Sequence, residues 1–385
     1  MRQLNLSTRN SKNLSHKDIR KSILTGLWIV FFLMVIDFTV NFLFAYPAAS
    51  LLTNPSQLQL YFNYGHSIEG KVAQMVAPTD ESSSAIAQAG WLDPNLWQKL
   101  NLPTSRASNE DLLVAIYGMS FSNHVGEAMK EIDPKIGLRL IAAPAGPPNY
   151  AYAAYKLDRG RHKADVAILG ILASSVKGLS TLNGMTWQFE GPAPYTYPEY
   201  FLENGKLKEI SPLFTTLAQF RTAFANPQQW SSFVSQLRQH DQFFDGFVFE
   251  RKFDNSAIVR LIRRAWAQRH QKAIEDQIHD ATGFKPPSVS VLKAIVTDFA
   301  ATAKNDGILP IVLLLNDRSY DDHLFRALES TLNSAAIPTV SSHNIAPASN
   351  LKNFISDGHF VKSADLDIAK VVLKLIHDNL QSHPV

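Results

Sequence analysis

The stretch 112–126, LLVAIYGMSFSNHVG, is the strongest indication of the fold in this sequence. An apolar run that ends at a glycine is typical of a buried parallel strand followed by a sharp turn. The serine after Gly118 then begins a helix at the carboxyl edge of the sheet, where open α/β sheets bind their ligands. Ser120 is therefore a candidate nucleophile, although a serine in this place also fits a helix N-cap.

Apolar runs and helical segments alternate from there to the carboxyl end, which predicts an α/β fold with a parallel sheet. After the strand that precedes Gly118, we expect strands at 138–142, 164–170, 308–315 and 336–340, and helices at 125–132, 150–157, 256–279 and 366–380. An insertion at about 183–285 separates the third strand from the fourth. Its Asn204-Gly205 pair, between two short runs, predicts a hairpin, and helices follow.

A second informative stretch, 354–360 (FISDGHF), precedes the last predicted helix. Together the two stretches resemble the SGNH (GDSL-like) hydrolase superfamily. In that family a Gly-x-Ser after the first strand supplies the nucleophile, and a late Asp and His complete the triad. The resemblance assigns Ser120, His359 and Asp357 to these roles and implies a flavodoxin-like three-layer α/β/α sandwich. Met119 departs from the family, which has an aspartate between the glycine and the serine.

The resemblance also implies donors for the oxyanion of the reaction. Gly146 matches the glycine after the second strand. The asparagine expected after the third strand is missing, and Ser174 is the candidate substitute because its hydroxyl can donate a hydrogen bond. His124, four residues beyond Ser120, is expected to be a surface or groove histidine rather than a second base. The sequence has no metal-ligand spacing and no glycine-rich phosphate loop, so we expect no metal and no cofactor.

Charge is unevenly distributed along the 385 residues. The first 21 residues contain six Lys or Arg and one Asp, whereas the whole chain has a formal net charge of only +3. The remaining residues are thus net acidic, which argues against a nucleic-acid-binding domain. The basic tail instead resembles a topology signal for the segment that follows it.

Residues 23–45 form an apolar stretch long enough to cross a hydrocarbon core of about 30 Å as a helix. Basic residues before it predict a cytoplasmic amino end. A cleaved signal peptide is the alternative, but its apolar core is usually about 7 to 15 residues. The predicted organisation is a cytoplasmic tail (1–21), a transmembrane signal anchor in the inner membrane (22–46), a juxtamembrane stalk (47–110) and a periplasmic SGNH-like domain (111–382).

Together, these expectations predict a function for the chain. The chain is expected to be an extracytoplasmic serine esterase or acyltransferase that removes or transfers a small acyl group, such as acetyl, on a cell-surface polysaccharide. The alternative is a non-catalytic scaffold or glycan-binding subunit of an envelope polysaccharide complex. Asp37 and Asn41 share one face of the anchor. They suggest a polytopic membrane partner, or else a bond between the two side chains.

Overall fold

The computed structural model describes residues 16–44 and 61–382. Most of the predicted basic tail lies outside the described residues, and so do residues 45–60, which are the end of the predicted anchor and the first part of the predicted stalk. The strands, in chain order, are β1 (Leu112–Met119), β2 (Ile136–Ala143), β3 (Val166–Leu172), β4 (Glu199–Glu203), β5 (Lys206–Ile210), β6 (His279–Asp280), β7 (Gly283–Phe284), β8 (Leu309–Leu315) and β9 (Thr339–Ser341).

The helices follow the same order. They are α1 (His16–Leu43), α2 (Ile68–Met75), α3 (Ala85–Gln88), α4 (Pro94–Lys99), α5 (Ser120–Ile132), α6 (Pro148–Asp158), α7 (Leu217–Ala225), α8 (Pro227–His240), α9 (Gly246–Phe249), α10 (Ala257–Ile278), α11 (Pro286–Asn305), α12 (His323–Ser334) and α13 (Lys362–Ser382). Short 3-10 turns cover Ala173–Ser180, Ser342–Asn344 and Leu351–Asn353.

A five-stranded parallel sheet in the order β2-β1-β3-β8-β9 forms the centre of the fold. The predicted α/β class with a parallel sheet is confirmed. Residues of β1 and β3 are apolar and almost fully buried, because helices cover both faces of the sheet. Helices α5 and α13 pack on one face, and α6, α11 and α12 pack on the other. The carboxyl ends of the parallel strands therefore share one edge.

Several predicted boundaries differ from the observed ones. The helix after β1 begins at Ser120, as the serine after the glycine turn indicated, and it includes the helical run expected at 125–132. The last strand was expected from residue 336 but covers only Thr339–Ser341. Ala336 has a φ of +46°, which breaks an extended chain, and Pro338 has no N–H for a ladder.

The insertion begins with the predicted hairpin, and the structure confirms it. Strands β4 and β5 pair antiparallel around Asn204 and Gly205, whose φ angles of +52° and +74° are those that a two-residue turn needs. Further along, Asp254 accepts hydrogen bonds from Ser67 and pairs with Arg263 of α10. The described part of the predicted stalk is thus fixed to the insertion by buried polar contacts.

Helix α1 carries the apolar segment. The most apolar 18 residues within Lys17–Leu43 have a mean hydropathy of 2.3 and none of them is buried, and the helix is long and apolar enough to cross a membrane. Asp37 Oδ1 accepts hydrogen bonds from Ser256 Oγ at 2.8 Å and from the Ile258 N–H at 3.0 Å. Asn41 Oδ1 accepts one from Arg260 at 2.8 Å. The proposed polytopic partner is therefore not needed to satisfy Asp37 or Asn41.

The alternative contact expected within α1 is present as well. Asn41 Nδ2 lies 3.2 Å from Asp37 Oδ2, and it also donates to the Asn255 carbonyl at 2.7 Å. Asp37 and Asn41 thus bind each other and, at the same time, the start of α10. Asp37 and Ser256 lie more than 200 positions apart in the sequence. The local sequence pattern alone therefore did not indicate the contact.

Candidate active site

Ser120 is placed by the sharp exit from β1. Met119 is extended, α5 begins at Ser120, and no side chain caps the helix. Gly118 makes this exit possible, because a Cβ there would lie 2.5 Å from Ser122 Oγ and 3.0 Å from the Gly170 carbonyl. Since Ser120 lies after the N-cap position and its side chain does not cap α5, its hydroxyl is available for another role.

Asp357 and His359 lie on a tight turn before α13. Gly358 has a φ of +98°, which favours glycine. The Ile355 N–H donates to the His359 carbonyl at 2.8 Å and closes the turn. Phe360 is 3% exposed and anchors the turn in the apolar core, while Phe121 stacks under the His359 ring at 4.6 Å between centroids.

These two segments bring the predicted triad together. Ser120 Oγ lies 2.7 Å from His359 Nε2, and His359 Nδ1 lies 3.1 Å from Asp357 Oδ1. A carboxylate beside Nδ1 holds the proton on that nitrogen, so Nε2 can accept the proton of the serine hydroxyl. This is the hydrogen-bond order of a serine, histidine and aspartate triad.

The site is open to solvent. The side chain of Asp357 is 60% exposed and that of His359 is 25% exposed. The pKa of Asp357 is lowered because the backbone N–H of His359 and then its side chain donate to the carboxylate. His124 lies beside the base, with 5.1 Å between its ring centroid and that of His359, as expected for a groove histidine.

The two predicted oxyanion donors make other hydrogen bonds. The Gly146 N–H donates to the Ala143 carbonyl at 3.0 Å. The hydroxyl and the backbone N–H of Ser174 both donate to Asp317. The oxyanion roles of Gly146 and Ser174 therefore stay predictions. Each residue could donate to an oxyanion only if its present hydrogen bond were broken. The uncapped start of α5 offers backbone N–H groups beside Ser120 instead, and a helix N-terminus favours negative charge.

Two residues of this region were missed from the sequence. Burial raises the pKa of Asp317 to about 7, and its Oδ1 is buried without a hydrogen-bond partner. The signal was an Asn-Asp pair directly after the apolar run of β8. Asn123 lies one helical turn after Ser120, and its buried Oδ1 also has no partner. Nothing in the sequence separated Asn123 from an ordinary helix-surface residue.

Within residues 16–44 and 61–382, no group of three His, Cys, Asp or Glu side chains is arranged to hold a metal ion. Comparisons with protein-family models, with curated proteins and with solved structures found no match to this sequence. Any assignment of function therefore depends on the geometry of the site itself.

Proposed function

We propose that the chain is a membrane-anchored serine esterase or acyltransferase of the SGNH type. Its substrate would be a small acyl ester, such as acetyl, on a cell-surface polysaccharide. The observation that carries the proposal is the Ser120–His359–Asp357 hydrogen-bond chain. The strand order β2-β1-β3-β8-β9 is also the flavodoxin-like order, with the nucleophile at the sheet edge where such folds bind ligands.

The proposed reaction depends on which ring nitrogen of His359 carries the proton. Ser120 Oγ attacks the ester carbonyl while His359 Nε2 takes the hydroxyl proton, and Asp357 stabilises the resulting imidazolium. The oxyanion forms beside the start of α5. His359 then gives its proton to the leaving alcohol, and an acyl-serine remains. Water or a sugar hydroxyl next attacks that acyl group with His359 again as the base, which frees Ser120.

The membrane placement rests on α1. A cleaved signal peptide would leave the mature protein, whereas Asp37 and Asn41 bind the start of α10. These contacts favour a retained anchor, with the amino end in the cytoplasm and the domain on the periplasmic side of the inner membrane. A domain held there meets envelope polysaccharides, which is the basis for the proposed substrate class.

One observation favours the alternative of a non-catalytic scaffold or glycan-binding subunit. The Gly146 N–H and the Ser174 hydroxyl are engaged elsewhere, and the loss of one oxyanion donor costs about 10²- to 10³-fold in rate. A scaffold would keep the fold and the triad geometry with little turnover. The two functions differ in whether Ser120 reacts with an acylating reagent.

A fluorophosphonate probe applied to the purified full-length protein tests the proposal. We expect the wild type to be labelled and Ser120→Ala to lose both labelling and turnover of an acetyl ester, by at least about 10³-fold. Ser122→Ala is the matched control, because the Ser122 hydroxyl is buried on the same helix without a partner, and it should be labelled normally. An unlabelled but folded wild type would favour the scaffold. Mass spectrometry of surface polysaccharide from cells with and without the gene would then test the substrate.

A further inference from the structure

An exposed apolar surface lies beside the place where α1 meets α10. Its members, called here the docking surface, are Phe247, Phe253, Ile262 and Trp266, with exposed fractions of 40%, 70%, 56% and 51%. Arg263 fixes the segment that carries Phe247 and Phe253 to α10, since its guanidinium donates to the Phe247 and Lys252 carbonyls and lies over the Phe247 ring. Single exposed apolar side chains are common, but a cluster of large ones marks an interaction site.

The length of α1 determines where this surface lies relative to a membrane. A span of about 20 residues is needed to cross the hydrocarbon core. The last basic residue before the apolar run is Lys21, so such a span ends near Asn41. Asp37 then lies inside the apolar layer, and so do the groups that bind it, Ser256 Oγ and the Ile258 N–H. The first turn of α10 therefore enters the membrane boundary.

The docking surface continues from that first turn. Ile258 lines the groove against α1, and Ile262 and Trp266 follow it at intervals of four residues, which places them on one face of α10. The indole N–H of Trp266 donates to Asp245 Oδ2 at 3.1 Å while half of the side chain remains exposed. Tryptophan with an apolar ring and a bonded polar tip is typical of membrane interfaces.

The charges beside the apolar side chains also fit a lipid surface. Arg251 and Lys252 are exposed and directly precede Phe253, the most exposed member of the docking surface. Basic residues near an anionic membrane are attracted to it. Lys252 also pairs with Glu250 Oε2 at 2.6 Å, so Arg251 is the basic residue of this pair that would meet lipid phosphates, with the Phe253 ring beside it at the start of the acyl chains.

We propose that the docking surface inserts into the boundary between headgroups and acyl chains of the bilayer that α1 crosses. The proposal rests on the proposed membrane anchor and is independent of the serine chemistry. It means that the domain is fixed to the membrane at two points, rather than tethered by α1 alone. The occupant is the lipid itself, because the depth of Asp37 brings lipid to this surface without any other protein.

Helix α10 connects this surface to the active-site edge. Its far end contributes Ile274 and Ile278 to an apolar cluster against which Ala145 packs, and its Glu275 pairs with Lys177, which follows β3. A helix of 22 residues is about 33 Å long. Docking would therefore hold the far end of α10, which contacts residues near the active-site edge, no more than about 33 Å from the membrane boundary.

The absence of cysteine from the chain makes a direct test practical. Single cysteines are introduced into the full-length protein, labelled with an environment-sensitive fluorophore, and the protein is placed in vesicles of phosphatidylethanolamine and phosphatidylglycerol. Quenching by lipids that carry a nitroxide near the headgroup is then measured. The variants are Phe253→Cys and Ile262→Cys on the docking surface, Ile29→Cys within α1, and Leu351→Cys as the matched control, since Leu351 is 66% exposed in another part of the domain.

We expect the labels at 253 and 262 to lose several-fold more fluorescence than the label at 351, together with a blue shift of their emission. Quenching at 253 and 262 no greater than at 351, with acyl-chain nitroxides still quenching the label at 29, would overturn the docking surface and leave the anchor intact. An unquenched label at 29 would overturn the anchor, and the docking surface with it.

Discussion

Two regions of this chain each join an aspartate, a histidine and a hydroxyl by hydrogen bonds, yet their geometry suits opposite roles. The two sets are Ser120–His359–Asp357 and Tyr117–His162–Asp158. Both hydroxyl residues come from the same stretch of sequence, 112–126. Because the two sets contain nearly the same residue types, their different geometry reflects the surroundings of each set.

The Asp158 set is a buried structural network. The side chains of Asp158 and His162 are 0% and 1% exposed. Arg139 donates to both carboxylate oxygens, at 2.6 and 2.7 Å, and the Tyr117 hydroxyl donates to Oδ2 at 2.8 Å. A buried carboxylate is tolerated when it is paired and fully hydrogen-bonded. In the Asp357 set the carboxylate is instead 60% exposed, and water solvates it.

The tautomers of the two histidines also differ. His162 Nδ1 accepts the Ala164 N–H at 3.1 Å, which leaves the proton on Nε2, the nitrogen that faces Tyr117. Burial lowers the pKa of His162, so this neutral form prevails at pH 7. His359 has Asp357 at Nδ1 and its Nε2 lone pair toward Ser120. Only His359 can act as a base toward its hydroxyl partner.

The largest effect is expected from Asp158→Asn. The change leaves Arg139, 4% exposed, without its carboxylate, and breaking a buried ion pair costs about 3 to 5 kcal/mol. We expect the urea midpoint of the full-length protein in detergent to fall accordingly. Asp111→Asn is the matched control, because its pair with Lys135 is about two-thirds exposed and should cost less than about 1 kcal/mol. Equal losses in the two variants would contradict a structural role for Asp158.

A third acid, Asp317, sharpens the comparison through its pH dependence. It is only half-buried, although its Oδ1 is shielded from solvent, and it has no bidentate arginine; burial raises its pKa to about 7. The unfolded chain releases this proton near pH 3.8, whereas the folded chain keeps it until about pH 7. The folded state thus binds more protons between these values, and the free energy of unfolding falls as pH rises from about 4 to 7.

Asp317→Asn should remove this loss of stability with rising pH. We expect the variant to gain stability over the wild type at pH 8 but much less at pH 4.5, as measured by melting temperature at both values. The exposed Asp322, which pairs with Arg326, provides the control variant Asp322→Asn. A gain at pH 8 that is no larger than the gain at pH 4.5 would show that Asp317 is already ionised in the folded state.

Asp357→Asn should lower the rate and leave stability unchanged. In a triad with a buried aspartate, the same change costs about 10⁴-fold in kcat. Because Asp357 is exposed and water can also stabilise the imidazolium, we expect a smaller loss, between about 10- and 10³-fold. Turnover of an acetyl ester and the urea midpoint measure the two effects. A loss as large as that of Ser120→Ala would mean that exposure does not weaken this carboxylate.

The sequence predicted those features that local patterns encode. The long apolar runs marked the parallel strands, Asn204-Gly205 marked the hairpin, and the two short motifs marked Ser120, Asp357 and His359. These motifs are short because Ser120 and His359 each lie in one tight turn that needs a glycine, at Gly118 and Gly358. A turn of this kind is visible in a few residues of sequence.

Features that depend on tertiary contacts could not be predicted. The bond between Asp37 and Ser256 joins residues 219 positions apart. Asp317 owes its raised pKa to burial, which an Asn-Asp pair after a strand does not reveal. Gly146 and Ser174 were assigned from the family resemblance, which gives a position along the chain but not the direction in which an N–H or a hydroxyl points.

The smallest effect is expected from Ser174→Ala. A true oxyanion donor costs about 10²- to 10³-fold when it is removed. The Ser174 hydroxyl instead donates to Asp317, so we expect less than about a 10-fold loss of kcat on an acetyl ester. Removing that donor should also raise the pKa of Asp317 further, since the bond favours the ionised carboxylate.

Ser175→Ala is the control for Ser174→Ala. Its hydroxyl is buried and donates to the Leu172 carbonyl at 2.8 Å, so its loss should change stability slightly and the rate not at all. A loss of about 10²-fold or more in Ser174→Ala alone would mean that substrate binding turns the Ser174 hydroxyl from Asp317 toward Ser120. In that case Asp317 would accept the Ser174 hydrogen bond only while no substrate is bound. Asp317 and the Ser120–His359–Asp357 set would then belong to one active site.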